Sequence, residues 1–206
     1  MKYIEEKYLE LCKTPSDINE HLSTIYNYAK ECESVFETGV RGVISSWALV
    51  YGLLSNNNTS NPKIFMNDIY ECDLVELLEK TKELNIKISY KWCDNLTLNF
   101  NKEKFDLTFI DTWHCYGQLK RELNKFNKIT NKYIIMHDTT IDEYFGESLR
   151  MGWDVFEQSK TTGIPIEEIK KGVWPAIEEF LLENKEWSLK ERYLNNNGLT
   201  ILEKNN

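Results

Sequence analysis

An acidic residue stands at the end of each strand-like run in this 206-residue sequence. The runs are short and rich in apolar and β-branched residues, and each closes on or leads to one acid: Glu37, Asp68, Asp94, Asp111 and Asp138. Taken singly, such acids are more often caps of loops and helix N-termini. If the strands are parallel, however, all five carboxylates reach one edge of the sheet, where open parallel sheets bind ligands. The sequence therefore predicts a functional cleft whose carboxylates suit a cationic ligand rich in hydrogen-bond donors.

Two histidines lie beside these acids. His114 stands three residues after Asp111 in DTWHCY, and His137 directly precedes Asp138 in MHDTT. Either imidazole is a candidate general base for removing a hydroxyl proton. The alternative for each is a polar side chain satisfied in a loop. The third histidine, His21, falls in a predicted N-terminal helix and is predicted to lie on the surface.

The first strand-to-helix turn contains GVRG at residues 39–42. Its glycines allow the backbone to approach a ligand closely, but the turn lacks the G-x-G-x-x-G spacing that a dinucleotide pyrophosphate needs. Asp68 closes the next strand about where a ribose hydroxyl pair would sit, and an acid there tells against a cofactor with a 2′-phosphate. These features favour a nucleoside ligand without a pyrophosphate.

Strands and helices alternate along most of the chain, which predicts a parallel sheet covered on both faces. The strand-like runs are SVFET, KIFMNDI, IKISYKW, FDLTFIDT and KYIIMHDT, with helix-like runs at 45–54, 73–84 and 116–126. At the C-terminus, WSLKERYL and LTILEK flank NNNG, which predicts an antiparallel hairpin. The predicted fold class is therefore α/β, a Rossmann-like doubly wound sheet of five parallel strands plus a C-terminal antiparallel hairpin.

Helices are also predicted outside this alternation. Two lie at 2–12 and 16–31, the second with Ser16 as its N-cap. A further helix is predicted over 166–184, with a break or kink at Pro175. The predicted organisation is a single domain over 1–206, with N-terminal helices at 1–32 and a Rossmann-like core at 33–206.

The charge, hydropathy and cysteine content of the sequence argue against several classes of protein. The formal net charge of −8 argues against a nucleic-acid-binding protein that works by phosphate neutralisation. No window of about 18 residues is continuously apolar, so no membrane span is predicted, and the glutamates of MKYIEEKYLELCK argue against a signal peptide. Five scattered cysteines without a CxxC pair favour a reducing, cytoplasmic location over a zinc site or a disulfide scaffold.

Four stretches together resemble class I S-adenosylmethionine-dependent methyltransferases: VFETGVRGVISSWAL, FIDTWHCYGQLKREL, YIIMHDTT and GVWPAIEEFLLENKEWSLKERYLNNNGLTIL. Within that group they are most similar to the branch of small-molecule and sugar O-methyltransferases that includes cephalosporin-hydroxylase-like proteins. The resemblance covers about residues 34–204. The acid-x-Gly turn alone is weakly specific, whereas the combination of the four stretches is much more so.

The resemblance implies S-adenosylmethionine as the cofactor and assigns roles by position. It implies that Glu37 and Gly39 lie against the methionine part of the cofactor. It further implies that Asp68 binds the ribose hydroxyls, that Asp94 lies near the adenine amine, and that Asp111 lies beside the sulfonium and the substrate. The sequence departs from the family pattern at one place, because the second turn glycine usually stands where this chain has Val43, with Gly42 just before it.

The resemblance also raises the question of a metal. In metal-dependent relatives, oxygen ligands after strands four and five hold Mg²⁺, which positions a substrate hydroxyl and lowers its pKa. Asp111 and Asp138 match two of these positions, while His137 stands where an acid is common, and imidazole suits other divalent ions better than magnesium. Two alternatives stay open: Mg²⁺ or another divalent cation held by Asp111 and Asp138, or His137 or His114 acting as the base.

The expected activity is methyl transfer from S-adenosylmethionine to a hydroxyl of a small molecule or sugar, with catalysis mostly by proximity and orientation. The alternative is a catalytically inactive binding or interaction protein with the same fold. A nicotinamide-dependent oxidoreductase is disfavoured by the missing glycine spacing. Segment 142–147, DEYFGE, is expected to overhang the cleft as a lid or a partner contact, and the N-terminal helices are the candidate surface for a homodimer.

Overall fold

A seven-stranded mixed sheet forms the centre of the protein, as seen in a computed structural model that describes residues 1–205. Its strands are β1 (Ser34–Thr38), β2 (Lys63–Asp68), β3 (Lys87–Trp92), β4 (Phe105–Ile110), β5 (Thr130–His137), β6 (Trp187–Tyr193) and β7 (Leu199–Lys204). They lie in the order β3-β2-β1-β4-β5-β7-β6. β1 to β5 are parallel, and β7 pairs antiparallel with both β5 and β6. The predicted five parallel strands and C-terminal antiparallel hairpin are confirmed.

Helices cover the sheet and connect its strands. They are α1 (Lys2–Lys13), α2 (Leu22–Lys30), α3 (Ile44–Leu54), α4 (Val75–Thr81), α5 (Tyr116–Phe126), α6 (Glu147–Arg150), α7 (Val155–Thr162), α8 (Ile166–Lys170) and α9 (Trp174–Glu183). Short 3₁₀ helices lie at Asn19–His21 and Asn95–Thr97. Across residues 1–205, no helix combines the length and the apolar character that crossing a membrane requires.

Successive side chains of the central strands point to opposite faces and enter two separate apolar cores. Val35 of β1 and Ile135 of β5 belong to the core that α1 to α4 cover. Their neighbours Phe36 and Ile134 belong to the core that α5 and α9 cover. All four side chains are fully buried, which accounts for the uninterrupted apolar runs of these strands.

The helix predicted over 166–184 is interrupted, as Pro175 indicated, but the interruption lies before the proline, at 171–173, so that α8 and α9 are separate helices. Between them, Gly172 donates from its backbone N–H to the carbonyl of Tyr144, and Val173 donates to that of Asp142. A Cβ atom on Gly172 would lie 2.4 Å from the Asp142 carbonyl oxygen, so only glycine fits this crossing. Pro175 lies in the first turn of α9, where its missing N–H costs no helical hydrogen bond, and it therefore starts a helix rather than kinking one.

The second N-terminal segment also differs from its prediction. Ser16 does not cap a continuous helix, because the 3₁₀ helix at Asn19–His21 comes first and α2 begins only at Leu22. The predicted surface position of His21 is wrong, since this residue is 1% exposed. Its Nε2 lies 2.9 Å from the carbonyl oxygen of Asn195 in the β6–β7 turn, and its ring packs edge-on against His137. This contact joins the N-terminal region to the C-terminal hairpin.

The N-terminal helices bury their apolar faces within the chain. Ile4 of α1, together with Leu22 and Ile25 of α2, is fully buried in the core that includes α3. The predicted homodimer would therefore use the outer surfaces of these helices, and it stays a prediction.

Candidate functional site

The turn after β1 passes directly over the end of β4. Gly39 has φ +88°, in the left-handed region that glycine favours. A Cβ atom at this position would lie 1.8 Å from the carbonyl oxygen of Asp111. The two segments therefore approach as closely as backbones can, which brings the glycine turn and Asp111 to one place at the carboxyl edge of the sheet.

Val43 has a left-handed backbone conformation, which glycine favours. It immediately precedes α3 and has φ +63°, whereas Gly42 does not have a positive φ. A β-branched residue in the left-handed region is strained by roughly 1–3 kcal/mol and persists only where its surroundings hold it. Here the Val43 side chain is buried in the core. The departure noted in the sequence is thus a change of side chain within a turn of glycine-like geometry.

Glu37 lies beneath this turn and holds the start of α3. Glu37 is fully buried, and its two carboxylate oxygens accept hydrogen bonds from Ser45 Oγ at 2.6 Å and Ser46 Oγ at 2.7 Å. Burial raises the pKa of Glu37 to about 7, while the two serine hydroxyls oppose that rise. In this arrangement Glu37 supports the turn from below, and its role toward the methionine part of a cofactor stays a prediction.

Asp68 holds the same turn from the side of β2. Its Oδ2 accepts hydrogen bonds from the backbone N–H groups of Val40 at 2.8 Å and Arg41 at 2.9 Å, and its Oδ1 accepts one from Tyr70 at 2.9 Å. A carboxylate offers about four acceptor positions, so three contacts leave room for one more donor such as a ribose hydroxyl. Asp68 ends β2 as predicted, but much of the capacity of its carboxylate serves the protein backbone, and its role toward a ribose stays a prediction.

Asp94 has a different environment from the other acids. It is exposed and accepts a hydrogen bond from the Leu96 N–H, which caps the 3₁₀ helix at Asn95–Thr97. Nearby, large apolar side chains are exposed after β2 and at the end of β3: Ile69 by 60%, Tyr70 by 76% and Trp92 by 58%. Such side chains offer a flat nucleobase a packing surface, so this end of the sheet fits the nucleoside end of a ligand.

Four of the predicted residues meet in one cluster at the ends of β4 and β5. His114 Nε2 lies 3.2 Å from Asp111 Oδ1 and 3.1 Å from Asp138 Oδ2. His137 Nδ1 lies 3.4 Å from each of the same two oxygens. The two imidazole nitrogens therefore face the same two carboxylate oxygens.

The backbone at Asp138 makes this convergence possible. Successive side chains of an extended strand point to opposite faces, which would separate His137 from Asp138. Asp138 instead has φ +57°, in the left-handed region that aspartate tolerates better than most residues. The chain turns sharply as it leaves β5, and both side chains reach the cluster.

The loop and short helix that follow β5 supply a further layer around His114. The Nδ1 atom of this histidine lies 3.3 Å from Asp142 Oδ2 and 3.6 Å from Glu147 Oε2. Asp142 is fully buried and accepts two hydrogen bonds from Arg150, at 2.7 Å from Nε and 2.8 Å from Nη2. Segment 142–147 was expected to overhang the cleft as a lid or a partner contact. Two of its acids, Asp142 and Glu147, form part of the wall of the cluster, whereas Glu143 pairs with Arg192.

The charges in the cluster shift the pKa values of its members. Burial by itself lowers the pKa of His137, but Asp111 and Asp138 outweigh burial and raise that pKa to about 10. His114 follows the same pattern, since burial is outweighed by Asp111, Asp142 and Asp138, and its pKa lies well above the ordinary value. Burial also acts to raise the pKa of Asp111, yet the two histidines hold it well below its usual range. The carboxylates of the cluster therefore favour the protonated form of both imidazoles when no cation is bound.

The donor set fits a divalent cation. Ligand atoms of Asp111, His114 and Asp138 all lie within 4.8 Å of one another, close enough to share a cation that binds each at about 2.0–2.5 Å. Three polar atoms of the cluster, His114 Nδ1, His137 Nδ1 and Asp138 Oδ1, are buried without a well-aligned hydrogen-bond partner. A cation would also supply the positive charge that balances the two carboxylates.

Sequence reasoning missed three groups that shape this site. Asp142, which is buried, and Arg150, which is exposed, form the ion pair behind His114, and the only signal in the sequence was the acid-rich run after MHDTT. Glu122 of α5 is fully buried and lines a small cavity that His114 and His137 also border. Its Oε1 accepts hydrogen bonds from three side chains: Asn95, Thr112 and Gln118. A lone glutamate in an amphipathic helix gives no sequence signal of such burial.

Comparison by sequence finds no match, either among protein-family models or among curated proteins. Comparison of structures finds a putative caffeoyl-CoA O-methyltransferase from Staphylococcus aureus, with a TM-score of 0.60 and 14% identity over 98% of this chain and 91% of that one. The N-methyltransferase NodS from Bradyrhizobium japonicum WM9 gives a TM-score of 0.57 and 12% identity over 92% and 97% of the two chains.

A third solved structure contains the cofactor that the sequence resemblance implies. The O-methyltransferase TomG from Streptomyces achromogenes, solved in complex with S-adenosylmethionine, gives a TM-score of 0.57 and 11% identity over 94% of this chain and 82% of that one. Identities this low establish the fold and leave the reaction to be argued from the site. The chain has the Rossmann-like fold of class I S-adenosylmethionine-dependent methyltransferases.

Proposed function

We propose that the protein is an S-adenosylmethionine-dependent methyltransferase that acts on a hydroxyl of a small molecule or sugar. The single observation that supports this most is the contact between the Gly39 turn and Asp111. In this fold the turn after β1 faces the cofactor, and here it lies against the cluster that would receive the acceptor. Cofactor and acceptor would therefore meet where positioning alone contributes strongly to the rate.

Each group of residues would have its own role in binding, set by its position in the fold. The Gly39 turn would lie along the methionine end of the cofactor, Asp68 would accept a ribose hydroxyl, and the apolar side chains beyond β2 and β3 would pack on the base. S-adenosylmethionine, when bound, supplies an electrophilic methyl group. An acceptor hydroxyl held beside Asp111 would take that methyl group in exchange for the carbon–sulfur bond, and its proton would leave to a base or to water.

Asp111 and Asp138 would hold a divalent cation, which lowers the pKa of an acceptor hydroxyl when it is bound. Asp111 and His114 retain partial exposure, at 18% and 12% of their side chains, so the acceptor would approach from their side. Asp142 and Arg150 would keep the wall of the site in place behind His114.

The free cysteines support the proposed cytoplasmic location. Within the described residues all five cysteines are unpaired, and Cys32 and Cys115 are buried. Burial raises the pKa of the Cys115 thiol to about 12, as expected for an unreactive side chain that serves packing. A reducing compartment suits this pattern.

Thermal unfolding with and without S-adenosylmethionine and S-adenosylhomocysteine tests the cofactor, and transfer of a labelled methyl group to a panel of catechols, phenols and sugars tests the reaction. The proposal expects both ligands to raise the melting temperature and at least one hydroxyl class to accept the label. If neither ligand at millimolar concentration raises the melting temperature, the methyltransferase proposal fails. Labelling of amines alone would overturn the assignment to oxygen.

A binding protein with this fold is the second candidate, and one observation favours it. Large apolar side chains are exposed along 141–156, including Tyr144 by 58%, Phe145 by 73% and Phe156 by 70%. Clustered exposure of this kind is typical of interaction surfaces. Cofactor binding without methyl transfer to any acceptor, together with a stable complex that is lost on Phe145→Ser, would support this candidate over the enzyme.

A further inference from the structure

We propose that the cluster of Asp111, His114, His137 and Asp138 is a mixed imidazole–carboxylate site that selects a first-row transition metal ion over Mg²⁺. Both histidines are then metal ligands rather than general bases. This inference deepens the proposed function at the same site, but metal binding can be measured without the cofactor or an acceptor. The two proposals can therefore fail separately.

The first argument is the chemistry of the four donors. His114 Nε2 and His137 Nδ1 face the same two oxygens, Asp111 Oδ1 and Asp138 Oδ2, at 3.1–3.4 Å. Magnesium favours octahedral sets of oxygen ligands and keeps several waters, whereas imidazole suits zinc, cobalt, nickel, iron and copper. A site with two nitrogens and two oxygens belongs to the second group.

The second argument is the polar group that lies beside the other ring nitrogen of each histidine, the one that faces away from the cluster. A histidine that binds a metal nearly always directs its second nitrogen to a carboxylate, a backbone carbonyl or a water, which fixes the ring and its tautomer. His114 directs Nδ1 toward Asp142 Oδ2 at 3.3 Å. His137 directs Nε2 toward the carbonyl oxygen of Asn196 at 3.2 Å. His137 thus has an orienting acceptor on the side away from the cluster. His114 Nδ1 has a carboxylate at ion-pair distance there, without a well-aligned hydrogen bond.

The third argument is burial. The His137 side chain is 1% exposed and its Nδ1, which faces the two carboxylates, has no well-aligned hydrogen-bond partner. Asp138 is similarly buried, with its Oδ1 also unpartnered. Buried polar atoms without partners are costly, and a cation between them would satisfy the imidazole nitrogen and the carboxylate together. The more exposed Asp111 and His114 would leave one side of the ion open to the acceptor, as catalytic metal sites require.

The fourth argument is the support behind the ligands. Asp142 is fully buried and held by two hydrogen bonds from Arg150, so its carboxylate is fixed before it meets His114. Glu147, at 3.6 Å from the same ring nitrogen, adds a second carboxylate. A charged wall of this kind raises the basicity of the imidazole it contacts and strengthens its bond to a metal.

The test uses the untagged full chain, freed of metal with a chelator and then titrated separately with Zn²⁺, Co²⁺, Mn²⁺ and Mg²⁺ by calorimetry. Elemental analysis measures how much of each ion stays bound. The inference expects one Zn²⁺ or Co²⁺ per chain, a visible absorption band for bound Co²⁺, and an affinity for Mg²⁺ at least about 100-fold weaker. Equal affinity for Mg²⁺ and Zn²⁺, or no bound transition ion, would overturn it.

Variants assign the ligands, because the chain contains only three histidines. His114→Asn and His137→Asn are each expected to weaken Zn²⁺ binding by more than about 100-fold, beyond the 10–100-fold typical of changes behind a ligand. Asp142→Asn is expected to fall within that smaller range. His21→Asn is the matched control: it is equally buried and packs against His137, yet it should keep wild-type affinity. Wild-type Zn²⁺ affinity in both His114→Asn and His137→Asn would refute the assignment.

S-adenosylhomocysteine binding, measured on the same preparations, separates the two proposals. Intact cofactor binding in a chain that holds no transition ion would overturn the metal inference alone. Tight, histidine-dependent Zn²⁺ binding in a chain that ignores the cofactor would overturn the methyltransferase proposal alone.

Discussion

Gly39 and Asp111 lie so close together that a Cβ atom on the glycine would stand 1.8 Å from the carbonyl oxygen of the aspartate. Gly39→Ala must therefore move the turn, and it also places a side chain at φ +88°. We expect a loss of stability of about 2–5 kcal/mol from the two effects together, measured by urea unfolding. Gly42→Ala is the control, because its Cβ would meet only Ile44 side-chain atoms at 3.9 Å or more. Equal effects of the two substitutions would contradict this account of the turn.

Val43→Gly tests whether the valine holds a strained, glycine-like conformation. The substitution removes a buried side chain, which costs about 1.5–3 kcal/mol, but it also relieves strain of about 1–3 kcal/mol at φ +63°. We expect a net change in stability within about 1 kcal/mol. Val40→Gly, in the same turn, removes a buried valine that does not have a positive φ and should cost clearly more. A loss of stability in Val43→Gly as large as that in Val40→Gly would contradict this interpretation.

Glu37 makes stability depend on pH. Its pKa is about 7 in the folded protein and 4.5 in an unperturbed glutamate, so the folded state binds the proton more tightly. The stabilisation is complete below pH 4.5 and is lost as the pH rises through 7, by about 3 kcal/mol in total. Glu37→Gln removes this titration, so the variant should gain stability relative to the wild type between pH 5 and pH 8 by up to about 3 kcal/mol.

Urea unfolding at several pH values measures this difference. Glu186→Gln, at an exposed glutamate, is the control for removing one negative charge and should show no comparable trend. A constant difference between Glu37→Gln and the wild type across the range would show that the buried carboxyl does not titrate there.

Asp68 and Asp94 should differ in effect although both were predicted to bind the cofactor. Asp68→Asn cannot accept all three backbone hydrogen bonds in the same way, and we expect a loss of stability of about 1–3 kcal/mol and weaker binding of S-adenosylhomocysteine. Asp94→Asn disturbs one exposed cap and should cost less than about 1 kcal/mol. Calorimetry and urea unfolding measure the two effects. Wild-type cofactor affinity in Asp68→Asn would remove this acid from the site.

Local sequence patterns were sufficient to predict the sheet. The alternation of apolar strands such as β4 and β5 with amphipathic helices reflects burial on both faces, and the Asn-rich turn before Gly198 marks the hairpin. The position of the break between α8 and α9 was not predicted, because it depends on Gly172 meeting the backbone of Asp142, a contact between segments 30 residues apart in sequence. Hydrophobic periodicity reflects residues close in sequence and therefore gives no information about such a contact.

The candidate site could be predicted only in part, because some of its contacts also join segments that are distant in sequence. Asp111, His114, His137 and Asp138 could be grouped because they follow neighbouring strands, whose carboxyl ends must lie together. The buried position of His21 depends on the β6–β7 turn, and the role of Asp142 depends on a loop whose course no periodicity determines. The left-handed conformation of Val43 likewise comes from its packing in the core rather than from its own preference.

Calorimetric titration with S-adenosylhomocysteine tests the central claim most directly, because it requires no knowledge of the acceptor. The account predicts saturable binding of one ligand per chain, abolished by Gly39→Ala and retained by Gly42→Ala. No binding to the folded wild-type chain at millimolar ligand would contradict the claim that this fold works as an S-adenosylmethionine-dependent methyltransferase.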